Sequence, residues 1–216
     1  SLLTFYFLML GIASGTVNAM GFITYIKWGL PIVWFTVSGV LATVGSTYTG
    51  IAVSYYGDRL KSKYGRRKPF IVSGFIACAL ALLFGSLPPS HDPAILAFWF
   101  IISANVFTMS AAACLGLSLQ SWLIESSSGP QDYATIYSIS YSAGFIPGSI
   151  LGLALTAILG PVPGALVYCG GGALSVFLLV REVPNRILAK SERQPDIVPS
   201  FRSCIRTQEF RTLFVN

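Results

Sequence analysis

Between residues 70 and 87 the chain reads FIVSGFIACALALLFGSL, a stretch without one charged side chain. In a bilayer core no water reaches the backbone, so a segment of about 20 apolar residues must satisfy its own N–H and C=O groups as a helix. Five other stretches of comparable length and composition lie near 2–26, 31–56, 94–117, 134–159 and 162–180. Strands of a membrane barrel would alternate apolar and polar side chains over about 10 residues, and runs such as FIACALALLF show no such dyad. Soluble domains carry about a quarter charged residues. Here 10% are charged and 54% hydrophobic, with a mean hydropathy of +0.69. The expected fold is an all-α membrane protein: a six-helix transmembrane bundle over 1–180, then a cytoplasmic tail over 181–216.

The first span lacks a basic flank and runs well beyond the apolar core of a secretory signal, so it reads as a true spanning helix. The chain opens without Met, inside or just before that helix, and is expected to be a fragment. Basic residues set the orientation, since short cytoplasmic loops collect Lys and Arg. Arg59, Lys61, Lys63, Arg66, Arg67 and Lys68 crowd between the second and third spans, and the tail holds the remaining basic residues except Lys27. Both segments are expected on the cytoplasmic side, with KWGLP, SLPPSHDP and GPVPG on the opposite side. The net charge of +6 is concentrated in those two segments, which argues for topology and anionic lipid rather than nucleic acid.

Polar groups inside a membrane are costly and turn toward the bundle interior or a cavity. Asn18, Ser46, Thr47, Tyr48, Asn105, Thr108 and Gln120 are therefore candidates to line an interior pathway, with the aromatic faces of Trp34 and Tyr48 beside them. Gly144, Gly148 and Gly152 recur every fourth residue in SAGFIPGSILG, and Gly11 and Gly15 repeat the spacing in the first span. Small residues so spaced share one helix face and let backbones approach. Cys78, Cys114 and Cys169 fall within spans and Cys204 in the tail, without the spacing of a metal site. His91 stands alone in a Pro-rich turn, and no nucleophile constellation points to an enzyme. No metal site or cofactor is expected.

The stretch GDRLKSKYGRRKPF, residues 57–70, resembles the loop signature between the second and third helices of the major facilitator superfamily. Its Asp-Arg pair followed by Gly-Arg-Arg-x-Pro-Phe looks like the glycoside-pentoside-hexuronide:cation symporter branch, which includes melibiose and sucrose carriers. WGLPIVW at 28–34 and QSWLIESSSGPQDYATIYSIS at 120–140 extend the resemblance, the latter as an acidic loop before the fifth helix. The resemblance implies the N-terminal half of a twelve-helix carrier, with a missing C-terminal half supplying the facing wall of a cavity. It implies that Asp58, Arg59, Arg66 and Arg67 form a conformational latch, with Gly65 at a tight turn and Pro69 opening the third helix, where proline is tolerated.

By position, Ser46 and Gly50 stand where melibiose-type carriers place sodium-site carboxylates, and Met109 stands near the fourth-helix Asp expected of sucrose carriers. Proton or sodium coupling therefore finds no support in these residues. The expected function is a secondary transporter of a sugar or related small solute working by alternating access, in the plasma membrane rather than an organelle. A lysolipid carrier and a non-transporting, transporter-like sensor or partner-binding protein are the alternatives.

Overall fold

A computed structural model describes residues 2–60, 67–126 and 130–182. Among them the chain forms six helices long and apolar enough to cross a membrane. The first spans Leu2–Tyr25, the second Val33–Arg59 and the third Lys68–Ser86. The fourth covers 93–126, the fifth Pro130–Leu159 and the sixth Pro161–Glu182. At a rise of about 1.5 Å per residue, even the shortest matches a hydrocarbon core about 30 Å thick. Apolar side chains surround each helix with little segregation to one face, the pattern of a segment solvated by lipid or protein on all sides.

Two boundaries depart from the sequence expectation, each for its own reason. The second helix carries Gly57, Asp58 and Arg59 in its last turn instead of releasing them to a loop. There the cation Arg59 meets the negative end of the helix dipole. The fourth helix does not stop near Leu117 but continues through Gln120 to Ser126, so much of the segment expected as a loop before the fifth helix is helical. Ser118 and Leu119 are buried, and their burial holds in the bundle a stretch whose polarity alone suggests an exit from it.

Packing runs in the order fifth, first, sixth, third, fourth, second. The first helix is the most enclosed, and the second and fifth, at the two ends of this sequence of contacts, are the least. The main core joins the first, third, fourth and sixth helices through Tyr6, Ile12, Ile71, Leu82, Leu115 and Tyr168. A smaller cluster of Met20, Tyr25, Leu30, Leu96 and Phe100 closes the end opposite Arg59 and Lys68.

Glycine sets how closely the first and fifth helices approach. A Cβ built on Gly11 would strike the carbonyl oxygen of Phe145, and one on Gly15 that of Ser149. From the other side, Gly144, Gly148 and Gly152 face the carbonyls of Thr4, Leu8 and Ile12 in the same way. The seam is therefore backbone against backbone over several turns. In lipid, where no hydrophobic effect favours one helix pairing over another, such contact is the main source of association energy.

At the far end, aromatic side chains complete the third helix. Tyr25 Oη donates to the Gly85 carbonyl at 2.6 Å, and Trp99 Nε1 donates to the Phe84 carbonyl at 2.7 Å. These carbonyls belong to the last turn, where the helix's own backbone donors run out and the Leu87 N–H alone reaches back to Phe84. Asp92 then caps the fourth helix by accepting from the backbone N–H of Ala94 at 3.0 Å. The fifth helix ends at Gly160, whose φ of +92° allows the reversal into the sixth.

Candidate functional site

A cleft of about 430 Å³ opens between the second and fourth helices. Ser46, Thr47 and Gly50 line it from the second helix, and Ala112, Ala113, Gly116, Leu117 and Gln120 from the fourth. Each set follows helical spacing: i, i+1 and i+4 on one wall, then i, i+1, i+4, i+5 and i+8 on the other. The small side chains make the volume. A Cβ at Gly50 would approach Leu117 Cδ1 to 3.1 Å, whereas one at Gly116 would meet nothing within 4 Å. Helices that touch at Gly50 thus leave a smooth, shallow space beside it.

The polar groups of the cleft are neutral. Ser46 Oγ and Thr47 Oγ1 both donate to the Thr43 carbonyl of their own helix, at 3.0 and 2.8 Å. That bond uses each hydroxyl's single proton and leaves its lone pairs as acceptors. Gln120 Nε2 donates to Tyr137 Oη of the fifth helix at 3.1 Å, which leaves the carboxamide oxygen and a second N–H. The cleft therefore offers several acceptors and one amide donor over a floor of methyl and methylene groups, without an ionisable group among its lining residues.

Ser46, Thr47 and Gln120 are the sequence candidates brought together here. Tyr48 lies on the adjacent face, 71% exposed, and Trp34 sits near the start of the same helix, 37% exposed. Asn18 is exposed on the first helix, with Ser14 half-buried one turn before it. Asn105 and Thr108 are engaged elsewhere. Asn105 Nδ2 donates to Ser38 Oγ at 2.8 Å and ties the fourth helix to the second. Thr108, 4% exposed, donates to the Ser103 carbonyl at 2.9 Å. That acceptor lies five residues back because Phe100–Phe107 is wound as a π-helix.

Of the residues expected in the latch, Arg59 and Arg67 meet the end of the second helix from two directions. The Arg59 guanidinium lies 4.0 Å from the centre of the Tyr55 ring and donates to its hydroxyl. Arg67 Nη1 lies over Gly57, where a Cβ would come within 3.0 Å of it. Both cations thus gather at a helix C-terminus, where unpaired carbonyls favour positive charge. Arg67 also precedes the first residue of the third helix, and Pro69 occupies that helix's first turn. Asp58 falls in the last turn of the second helix. Gly65 and Arg66 lie outside the described residues, as does the tail from 183 onward.

Sequence reasoning missed Tyr137. It belongs to a series on the fifth helix, Tyr133, Tyr137, Tyr141 and Phe145, whose rings follow one another at centroid distances of 5.7, 5.9 and 4.6 Å. The fourfold spacing of aromatics was the available signal, and it passes beside the small-residue repeat at Gly144 and Gly148 in the same helix.

No protein-family model matches the chain. The chain is similar to the sucrose transport protein SUC4 of Arabidopsis thaliana, 28% identical over 103 residues. The similarity covers 40% of this chain and spans 20% of that relative's length. Six helices of spanning length and composition, together with a relative that is a transport protein, make this chain an integral, multi-pass membrane protein.

Proposed function

We propose that the chain forms one wall of a secondary transporter for a neutral, hydroxyl-bearing solute, a sugar or a close relative, that works by alternating access. The observation that carries this is the uncharged cleft between the second and fourth helices, where Ser46, Thr47 and Gln120 converge over Gly50 and Gly116. Hydroxyl and carboxamide groups suit sugar hydroxyls, and a flat floor of small residues suits the apolar face of a sugar ring. Similarity to a sucrose transport protein supports the same solute class.

Alternating access needs a second body to close over the solute. The second and fifth helices, the least enclosed of the six, are the surfaces on which a second bundle would rock. Arg59 and Arg67, gathered at the end of the second helix, would bias that rocking by holding one arrangement together. Exposed contacts of this kind contribute about 0–1 kcal/mol each, enough to shift a balanced pair of states.

Ser46 and Gly50 supply no carboxylate, so this wall favours equilibration over gradient-driven accumulation. Uptake of labelled sugars by the full-length protein in proteoliposomes, with and without an imposed proton or sodium gradient, tests both claims. Saturable uptake that stops at equilibrium is the expected result. Accumulation against the sugar gradient would place a coupling group in another part of the protein. No uptake of any sugar, with transport of a lysolipid instead or of nothing, would overturn the proposal.

A further inference from the structure

Resting on the transport function proposed above, we infer that Tyr137 is a positioning residue for solute selection and that the cleft recognises a vicinal diol through Gln120. Tyr137 lines no part of the cleft, yet it accepts the Gln120 Nε2 proton at 3.1 Å from across the gap between the fourth and fifth helices. Its ring cannot easily turn away. Tyr141 stacks on it with an interplanar angle of 12°, and buried Phe7 of the first helix meets it edge to face at 5.3 Å. The same Phe7 ring meets Tyr141 at 5.5 Å, so a three-ring cluster from two helices fixes the position of one hydroxyl.

The consequence falls on Gln120. A free glutamine side chain has three rotatable bonds and presents its amide in many directions. One whose Nε2 is held by a rigid partner has that end of its amide fixed, and when the N–H trans to Oε1 goes to Tyr137 the oxygen and the cis N–H are left side by side. That pair matches two hydroxyls on neighbouring carbons, one donating to Oε1 and the other accepting from the N–H. The surrounding hydroxyls of Ser46 and Thr47 have already spent their protons on Thr43. The remaining N–H of Gln120 is therefore the donor this wall can aim at a solute oxygen. Preorganising it saves the ordering cost that a mobile side chain incurs on binding.

The test is uptake of labelled sucrose, maltose and glucose by the full-length protein in proteoliposomes, competed by deoxy analogues that lack one hydroxyl of a vicinal pair. Tyr137→Phe keeps the ring stack and removes only the acceptor. It is expected to raise KM about 5- to 10-fold, the worth of one hydrogen bond, with kcat within about 2-fold. Discrimination against the deoxy analogues should shrink by a similar factor. Gln120→Ala should do the same, and the double variant should add little to either single change, as for two residues acting through one interaction. An unchanged KM and unchanged discrimination in Tyr137→Phe would overturn the inference while leaving the transport function standing. So would additive effects, or a loss of thermal stability with KM unaltered, since each would make the contact a packing feature only. Wild-type protein that moves none of these sugars would overturn the transport function and this inference with it.

Discussion

Thr108 and Thr47 are both helical threonines whose Oγ1 donates to a carbonyl of the same helix, but their surroundings differ. Thr108 is buried and its acceptor, the Ser103 carbonyl, lies inside a π-wound turn. Thr47 is exposed in the wall of the cleft. Thr108→Val should therefore lower stability by about 1 kcal/mol, through the loss of one buried hydrogen bond, with uptake affinity unchanged. Thr47→Val should leave stability within about 0.5 kcal/mol of wild type and act on solute affinity instead. Thermal unfolding in detergent, paired with solute binding, separates the two. Nothing local to either residue in the sequence distinguishes them, since intramembrane polarity nominates both. What decides is which neighbours surround each residue, and that depends on residues far away in the chain. Asn105 teaches the same lesson, because its partner Ser38 stands in a different helix.

At the scale of the element, the seam between the first and fifth helices offers the sharpest contrast. Gly148→Ala places a methyl group against the Leu8 carbonyl oxygen, and backbone cannot move aside as a flexible side chain does. The helices must separate, at a cost of about 1–3 kcal/mol for overpacking. Gly170→Ala on the exposed face of the sixth helix meets nothing within 4 Å. It should stabilise by up to about 1 kcal/mol through helix propensity. Unfolding midpoints of the two variants should move in opposite directions. The repeat at Gly144, Gly148 and Gly152 was legible as a motif for close approach because spacing of four is a property of one helix. Its partner surface on the first helix was only half legible, since Gly11 and Gly15 announce a face without naming what they face. The π-wound stretches at Met20–Tyr25 and Phe100–Phe107 gave no sequence sign. Winding of that kind answers to contacts between helices, and these two stretches pack near each other.

For the whole molecule, orientation is the property that charge alone decides. Lys27 lies at the end of the bundle opposite Lys68, since one helix separates them. In a Cys204→Ser background, Lys27→Cys should react with a membrane-impermeant thiol reagent applied to intact cells. Lys68→Cys should react only after permeabilisation; the reverse pattern would invert the topology. A bound solute should also stabilise the full-length protein as a whole, by about 2.7 kcal/mol at a hundredfold excess over Kd. Sugars that raise the unfolding midpoint would thereby identify the solute class without a transport assay. The number of helices and their approximate limits follow from sequence because a bilayer imposes a length and a polarity on every span, whatever its neighbours. The basic end follows because charges stay where water is. The cleft does not follow. Ser46, Gly50, Gly116 and Gln120 lie on separate helices with a third between them in the chain. Only the packing of the second helix on the fourth makes them neighbours, and only the approach of the fifth gives Gln120 its partner in Tyr137. Each helix carries its own face pattern, but the pairing of faces is a collective choice among many nearly equal van der Waals contacts, made by the folded bundle.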